Sequence, residues 1–189
     1  MSLNCSLGLD ISTSIIGASF IFENNTFLFK HIDLTKTKCF FDKTSLVEEF
    51  LNNIISEVKL KNIKKVYIED SLQSFRKGMS SAKTLMTLAK FNGIVSNIVF
   101  RITKIKPDFI NVNTARKTLN IKIDKNSSID KKEQIMEWVN NDVNGYDWPT
   151  KIISRGVNKG VVKFEKFCYD ISDAYVICKA GIIINEQYT

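Results

Sequence analysis

The order of apolar segments predicts an α/β fold, a mixed five-stranded sheet flanked by helices. Two observations predict it. The first third of the chain reads as a meander of three strands, and the later strands alternate with helices. At 189 residues the chain has room for one domain with a substantial core, so a single domain over 1–189 is expected.

Cys5 to Ile11 is a compact apolar run with an acid near its end. Ile15 to Phe22 is rich in β-branched and aromatic residues, and Thr26 to Ile32 alternates after Glu23-Asn24-Asn25. Asparagine tolerates positive φ, which suits a hairpin there. A helix is expected over Ser45 to Lys59, where Leu46, Val47, Phe50, Ile54, Ile55 and Val58 recur at helical spacing. Thr44 or Ser45 would cap it, with Glu48 and Glu49 in the first turn. Lys65 to Glu69 is a fourth strand, and the polar stretch Asp70 to Ser80 reads as a loop. The helix from Ser81 to Phe100 carries more apolar surface than one buried face requires. It is either sandwiched in the core or reserves a face for a second copy, and Gly93 suits both. Pro107 precedes a fifth strand, Phe109 to Val112. Short helices follow at Thr114 to Leu119 and Ser128 to Asn141, then an irregular basic stretch from Val143 to Phe167, then a last helix from Ile171 to Ile184.

Lysine and arginine outnumber the acids by 27 to 20, a net charge of +7. That excess favours a polyanionic partner through counterion release, although a lysine-rich surface also serves solubility. Cys5, Cys39, Cys168 and Cys178 form no CxxC pair, and the single histidine, His31, sits in an apolar alternation. Zinc clusters and acyl-transfer triads therefore have no support. Reduced cysteines, the absence of a long apolar run and an N-terminus without a basic leader lead us to expect a cytoplasmic protein, in a bacterial cell or a phage-infected host.

The chemistry lies in the acids. Asp10 ends the first strand and Glu69 the fourth, so neighbouring strands would deliver both carboxylates to one sheet edge. The last helix is read as opening on Asp170-Ile171-Ser172-Asp173, whose spacing puts both aspartates on nearly one face. Each acid alone has a structural reading: a turn, a solvated strand end, a helix cap. As a set, buried carboxylates repel and call for a counter-cation, and hard oxygen ligands match Mg²⁺ or Mn²⁺.

The motifs then become specific. Leu7 to Ser19, L-G-L-D-I-S-T-S-I-I-G-A-S, resembles the first acidic motif of RuvC-type Holliday junction resolvases in the ribonuclease H-like superfamily. V-Y-I-E at Val66 to Glu69 looks like their second, Ser81 to Val95 like the helix that follows it, and Asn113 to Lys117 like their strand-to-helix segment. D-K-K-E-Q-I at Asp130 to Ile135 resembles the segment carrying a lysine near the scissile phosphate, and D-I-S-D-A at Asp170 to Ala174 matches the closing motif. The resemblance spans nearly the whole chain in order. It implies a ribonuclease H-like fold and a homodimer that cuts branched DNA, four-way junctions above all. It makes Asp10, Glu69, Asp170 and Asp173 ligands of Mg²⁺, with Mn²⁺ substituting, and Lys132 a catalytic cation, with Lys131 as the adjacent choice of register.

The chain departs from the family pattern in places. Ile11-Ser12 replaces Pro-Gly after the first aspartate, and the first aromatic after Glu69 is Phe75 rather than one three residues on. Phe75 either stacks on a splayed base or packs inward, with Arg76 and Lys77 as phosphate contacts. Arg116, Lys117 and Lys131 are further candidate DNA contacts, as are Lys151, Arg155 and Lys159 in the basic stretch. That stretch, a possible insertion over 143–167, is either a DNA-facing hairpin or a surface elaboration. Competing functions are a less selective nuclease on flaps or RNA–DNA hybrid, a catalytically dead DNA-binding scaffold and a nucleotide-binding module. The last arises because D-I-S-T-S also resembles the phosphate turn of actin- and hexokinase-like ATPases.

Overall fold

The computed structural model describes residues 3–70, 82–157 and 159–187. Phe75, Arg76, Lys77 and most of the expected loop lie outside the described residues. Strands β1 (Cys5–Ile11), β2 (Ile15–Phe22) and β3 (Phe27–Asp33) form the expected antiparallel meander. Strands β4 (Ile63–Glu69) and β5 (Asp108–Ile110) extend it in parallel, giving the order β3-β2-β1-β4-β5. Asn25 takes φ 58° in the turn between β2 and β3, and the Asn24 carboxamide oxygen accepts from the Thr26 amide and hydroxyl.

Five helices are described: α1 (Phe40–Val58), α2 (Ala82–Thr103), α3 (Val112–Thr118), α4 (Lys131–Asp142) and α5 (Lys166–Glu186). The two-residue period of the strands sorts the core into two layers. Leu7, Leu9, Ile11, Ile16, Ala18, Phe20, Val66 and Ile68 pack with α1 and α2 on one face. Ile21 and Tyr67 pack with α3, α4 and α5 on the other. Coverage on both faces explains why β2 is buried at seven of its eight positions and reads as an unbroken apolar run.

Two glycines let α5 lie directly on the sheet. A Cβ on Gly17 would stand 2.1 Å from the Asp170 carbonyl oxygen, and one on Gly8 would stand 2.4 Å from that of Ala174. Both approaches are too close for any side chain.

Two boundaries and one packing expectation differ from the structure for identifiable reasons. Helix α1 begins at Phe40 rather than Ser45, because Phe40 packs edge-on against Phe91 at 5.6 Å. Thr44 and Ser45 cap nothing; their hydroxyls donate back to the Phe41 carbonyl. Helix α5 begins at Lys166 rather than Ile171. Its first turn is anchored by Phe167 stacked on His31 at 3.7 Å and by buried Cys168, so Asp170 lies inside the helix and is not its cap. The sandwiched reading of α2 also fails among the described residues. Phe91, Val95, Ile98 and Val99 are buried, while Met86, Ile94 and Phe100 stay exposed and Gly93 meets nothing within 4 Å.

The basic stretch contains a small hairpin, β6 (Thr150–Ile152) and β7 (Val162–Phe164), with Gly156 and Gly160 at φ 82° and 89°. Trp148 stacks on Phe29 at 5.0 Å and ties the hairpin's base to the core. Cys5, Cys168 and Cys178 are buried and Cys39 is exposed, all four as free thiols. No helix among the described residues is long and apolar enough to cross a membrane.

Candidate active site

The parallel register pairs Leu9 with Ile68, so Asp10 and Glu69 follow one step later at the carboxyl ends of adjacent strands. Alternation turns Leu9 and Ile68 towards α1 and α2, which leaves Asp10 and Glu69 on the α5 face. Gly17 is the cross-strand partner of Asp10, and Gly17 is where the Asp170 backbone touches the sheet. One close contact thus sets the approach of α5 to Asp10. Asp173 follows three residues along the same helix.

The four acids are crowded. Burial, then the charges of Glu69, Asp173 and Asp170, push the Asp10 carboxyl well above the usual carboxylate range. Burial and then the Asp173 charge push Glu69 up to about 7, and Asp10 shares a side-chain hydrogen bond with it. Burial raises Asp170 to about 6. It also raises Asp173, where Lys132, Arg116 and Lys131 oppose the shift. Lys132 stands within electrostatic reach of all four acids, and Lys131 adds its charge at Asp173.

The strand register and the seating of α5 on Gly17 bring these groups into one neighbourhood. As placed, no three acidic, histidine or cysteine side chains among the described residues stand close enough to hold one ion. The donor set still fits a hard divalent cation. It is all carboxylate, it is drawn from three neighbouring elements, and its mutual repulsion is what such a cation would relieve.

Two further residues join the cluster, one expected from the sequence only as a DNA contact and one that the sequence does not flag. Arg116, read beforehand as a DNA contact, places Nη2 4.0 Å from Asp173 Oδ1 with a largely buried side chain. Its Nε is buried with no hydrogen-bond partner among the described residues. Asn92 on α2 donates from its side chain to the Glu69 carbonyl at 3.2 Å and holds the end of β4. Only the order of motifs along the chain hinted at Arg116, and nothing singled out Asn92.

The remaining candidates sit further out. Lys117 is exposed at the end of α3 and Lys131 at the start of α4. Arg155 and Lys159 are exposed in the hairpin connection, whereas Lys151 is paired with Glu165 at 3.2 Å. The hairpin is fastened to α4 by Lys163, which donates to Glu133 at 2.6 Å.

No protein-family model and no curated protein matches the chain. Solved structures do. Thermus thermophilus RuvC in complex with a Holliday junction substrate superposes with TM-score 0.64 at 8% identity, covering 97% of this chain and 96% of that one. A second Thermus thermophilus RuvC structure gives 0.62 at 11% identity, covering 98% and 97%. The yeast mitochondrial Holliday junction resolvase Ydc2 gives 0.58 at 13%, covering 98% and 80%. The chain has the RuvC-type, ribonuclease H-like fold over nearly its whole length.

Proposed function

We propose that this protein is a divalent-metal-dependent endonuclease for branched DNA, with four-way junctions as the preferred substrate, acting in the cytoplasm as a homodimer. The observation that carries the reading is the meeting of Asp10, Glu69, Asp170 and Asp173 at one sheet edge beside Lys132 and Arg116. The whole-length likeness to RuvC bound to a junction supports the choice of substrate. A nucleotide-binding ATPase would close its site with a second lobe, and the described residues hold one five-stranded sheet and a hairpin.

The four acids would hold Mg²⁺, or Mn²⁺ in its place. When bound, such a cation would supply the Lewis acidity that activates water near neutral pH and stabilises a leaving oxygen. The chain's own cations do the rest. Lys132, within electrostatic reach of the acids, would offset negative charge on the phosphoryl oxygens, and Arg116, 4.0 Å from Asp173, would steady that carboxylate. Incubation with labelled junction, linear duplex, flap and hybrid substrates tests the reading. Paired nicks near the crossover in Mg²⁺, none in EDTA, and a duplex left largely intact are the expected result. Equal rates on junction and duplex would favour the less selective nuclease.

Paired nicks on a symmetric junction require two active sites, which a two-fold dimer supplies. Met86, Ile94 and Phe100 give α2 an uncovered apolar face, next to a groove of about 670 Å³ shared with α1. The chain is expected to scatter light as a dimer, free or on DNA, and Ile94→Asp to scatter as a monomer. A parent that is monomeric in both conditions would contradict the dimer.

The hairpin bears on affinity. Arg155 and Lys159 have exposed side chains, whereas Lys151 is engaged by Glu165. Replacing Arg155 and Lys159 together with alanine should lower the slope of log affinity against log salt by about two units. Lys151→Ala should change it less. An unchanged slope in the double variant would make the hairpin a bystander.

A further inference from the structure

A second hollow, of about 430 Å³, opens beside the carboxylate cluster. It lies between α3, the connection that follows it and the start of α4. Its shape is built in advance. Gln134 donates to the carbonyls of Asp124 and Ile129, both at 2.9 Å, and accepts from the Asp124 amide at 2.8 Å. That carboxamide is therefore spent on holding the connection.

Three features of the wall point to a ligand. Arg116 is common to the hollow and the acids, with its buried Nε unpartnered and Nη2 4.0 Å from Asp173. Ile123 and Ile129 supply apolar walls, and Ile129 is 39% exposed. Asn113 contributes a side-chain carboxamide with no hydrogen-bond partner among the described residues, since only its backbone amide is bonded, to Asn111. A phosphate alone would call for cations. Aliphatic walls with a neutral amide edge are what a nucleobase calls for, and cations at the rim suit the phosphates on either side of it. A base loses a stacking neighbour where the arms of a branch part, and placing a base in a pocket costs least where it is not held in a continuous stack.

We propose that this hollow takes one unstacked nucleotide of the cut strand, next to the scissile phosphodiester, and that Asn113 reads its base and so sets the sequence preference of cleavage. The proposal rests on the junction-nuclease reading, and its test separates the two. Junctions carrying each of the four bases at the positions flanking the nick are cut by the parent, by Asn113→Ala and by Ile129→Ala. The ratio of rates between sequences is the readout, so a general loss of rate does not count. The parent should favour one base at one position by about tenfold, the range of a good bidentate amide contact. Asn113→Ala should flatten that ratio.

In parallel, 2-aminopurine placed at the same positions reports unstacking on binding, independently of cleavage. A fluorescence change with the parent that is lost in Ile129→Ala is expected. Three outcomes would overturn the proposal: a parent without sequence preference or fluorescence change, an Asn113→Ala that keeps the parent's preference, and a parent that neither binds nor cuts junctions. A parent that binds with the fluorescence change but never cuts would overturn the nuclease reading and leave the nucleotide site standing.

Discussion

Asp10→Asn, Glu69→Gln, Asp170→Asn and Asp173→Asn are each expected to lower junction cleavage on the order of 10³-fold and to leave junction binding intact. Each amide keeps the size of the side chain and removes the negative charge that would hold the cation. Binding should persist because lysine and arginine contacts to phosphates supply most of the affinity. It should even tighten, since a like charge beside the phosphodiester is gone. Asp170 belongs in this set on structural grounds. Were it the cap of α5, asparagine would serve about as well and the variant would be mild. The helix starts at Lys166, and Asp170 is buried within it against Gly17.

A second readout does not depend on activity. The crowding that raises Glu69 to about 7 and Asp170 to about 6 opposes folding while those carboxyls are charged. Without divalent metal, the amide variants should therefore melt above the parent. With Mg²⁺ the parent's midpoint should rise and that of Asp10→Asn should rise much less, because a ligand stabilises only the state that binds it. Four variants that cut at the parent's rate would mean that the active site lies elsewhere.

The parts of the fold that were legible in the sequence are those that local chemistry decides. Strand alternation in V-Y-I-E puts Glu69 opposite in facing to Ile68, and the same rule holds for Asp10 after Leu9, so the two acids could be paired before any contact was known. Asn24-Asn25 likewise announced a turn, as the positive φ of Asn25 shows. What stayed hidden depends on residues distant in sequence. The early start of α1 needs Phe91, and that of α5 needs His31. Arg116 looked like one more phosphate contact because its neighbour Asp173 lies on another helix. The outer face of α2 was ambiguous for a related reason. Apolar periodicity counts residues that want cover and does not say whether the cover lies in the same chain.

Gly17→Ala is expected to cost about 1–3 kcal/mol of stability and to lower cleavage by about 10²-fold, although residue 17 carries no chemistry. The added methyl group would sit 2.1 Å from the Asp170 carbonyl oxygen and 2.4 Å from its carbonyl carbon. Both are backbone atoms inside a helix, so no rotamer change relieves the clash. Either β2 recedes or α5 lifts. Strand β2 is held on both sides by β1 and β3, which makes the helix the element that moves. Lifting α5 at Asp170 carries Asp170 and Asp173 away from Asp10, the cross-strand partner of Gly17, and from Glu69 beside it. A misplacement near 1 Å suffices for a rate loss of this size when ligands must converge on one centre. The variant should keep its α/β circular dichroism and its junction affinity while losing rate and the stabilisation by Mg²⁺. That combination separates a displaced helix from an unfolded chain. If Gly17→Ala melts and cuts as the parent does, the close seating of α5 on β2 is not what positions the acids.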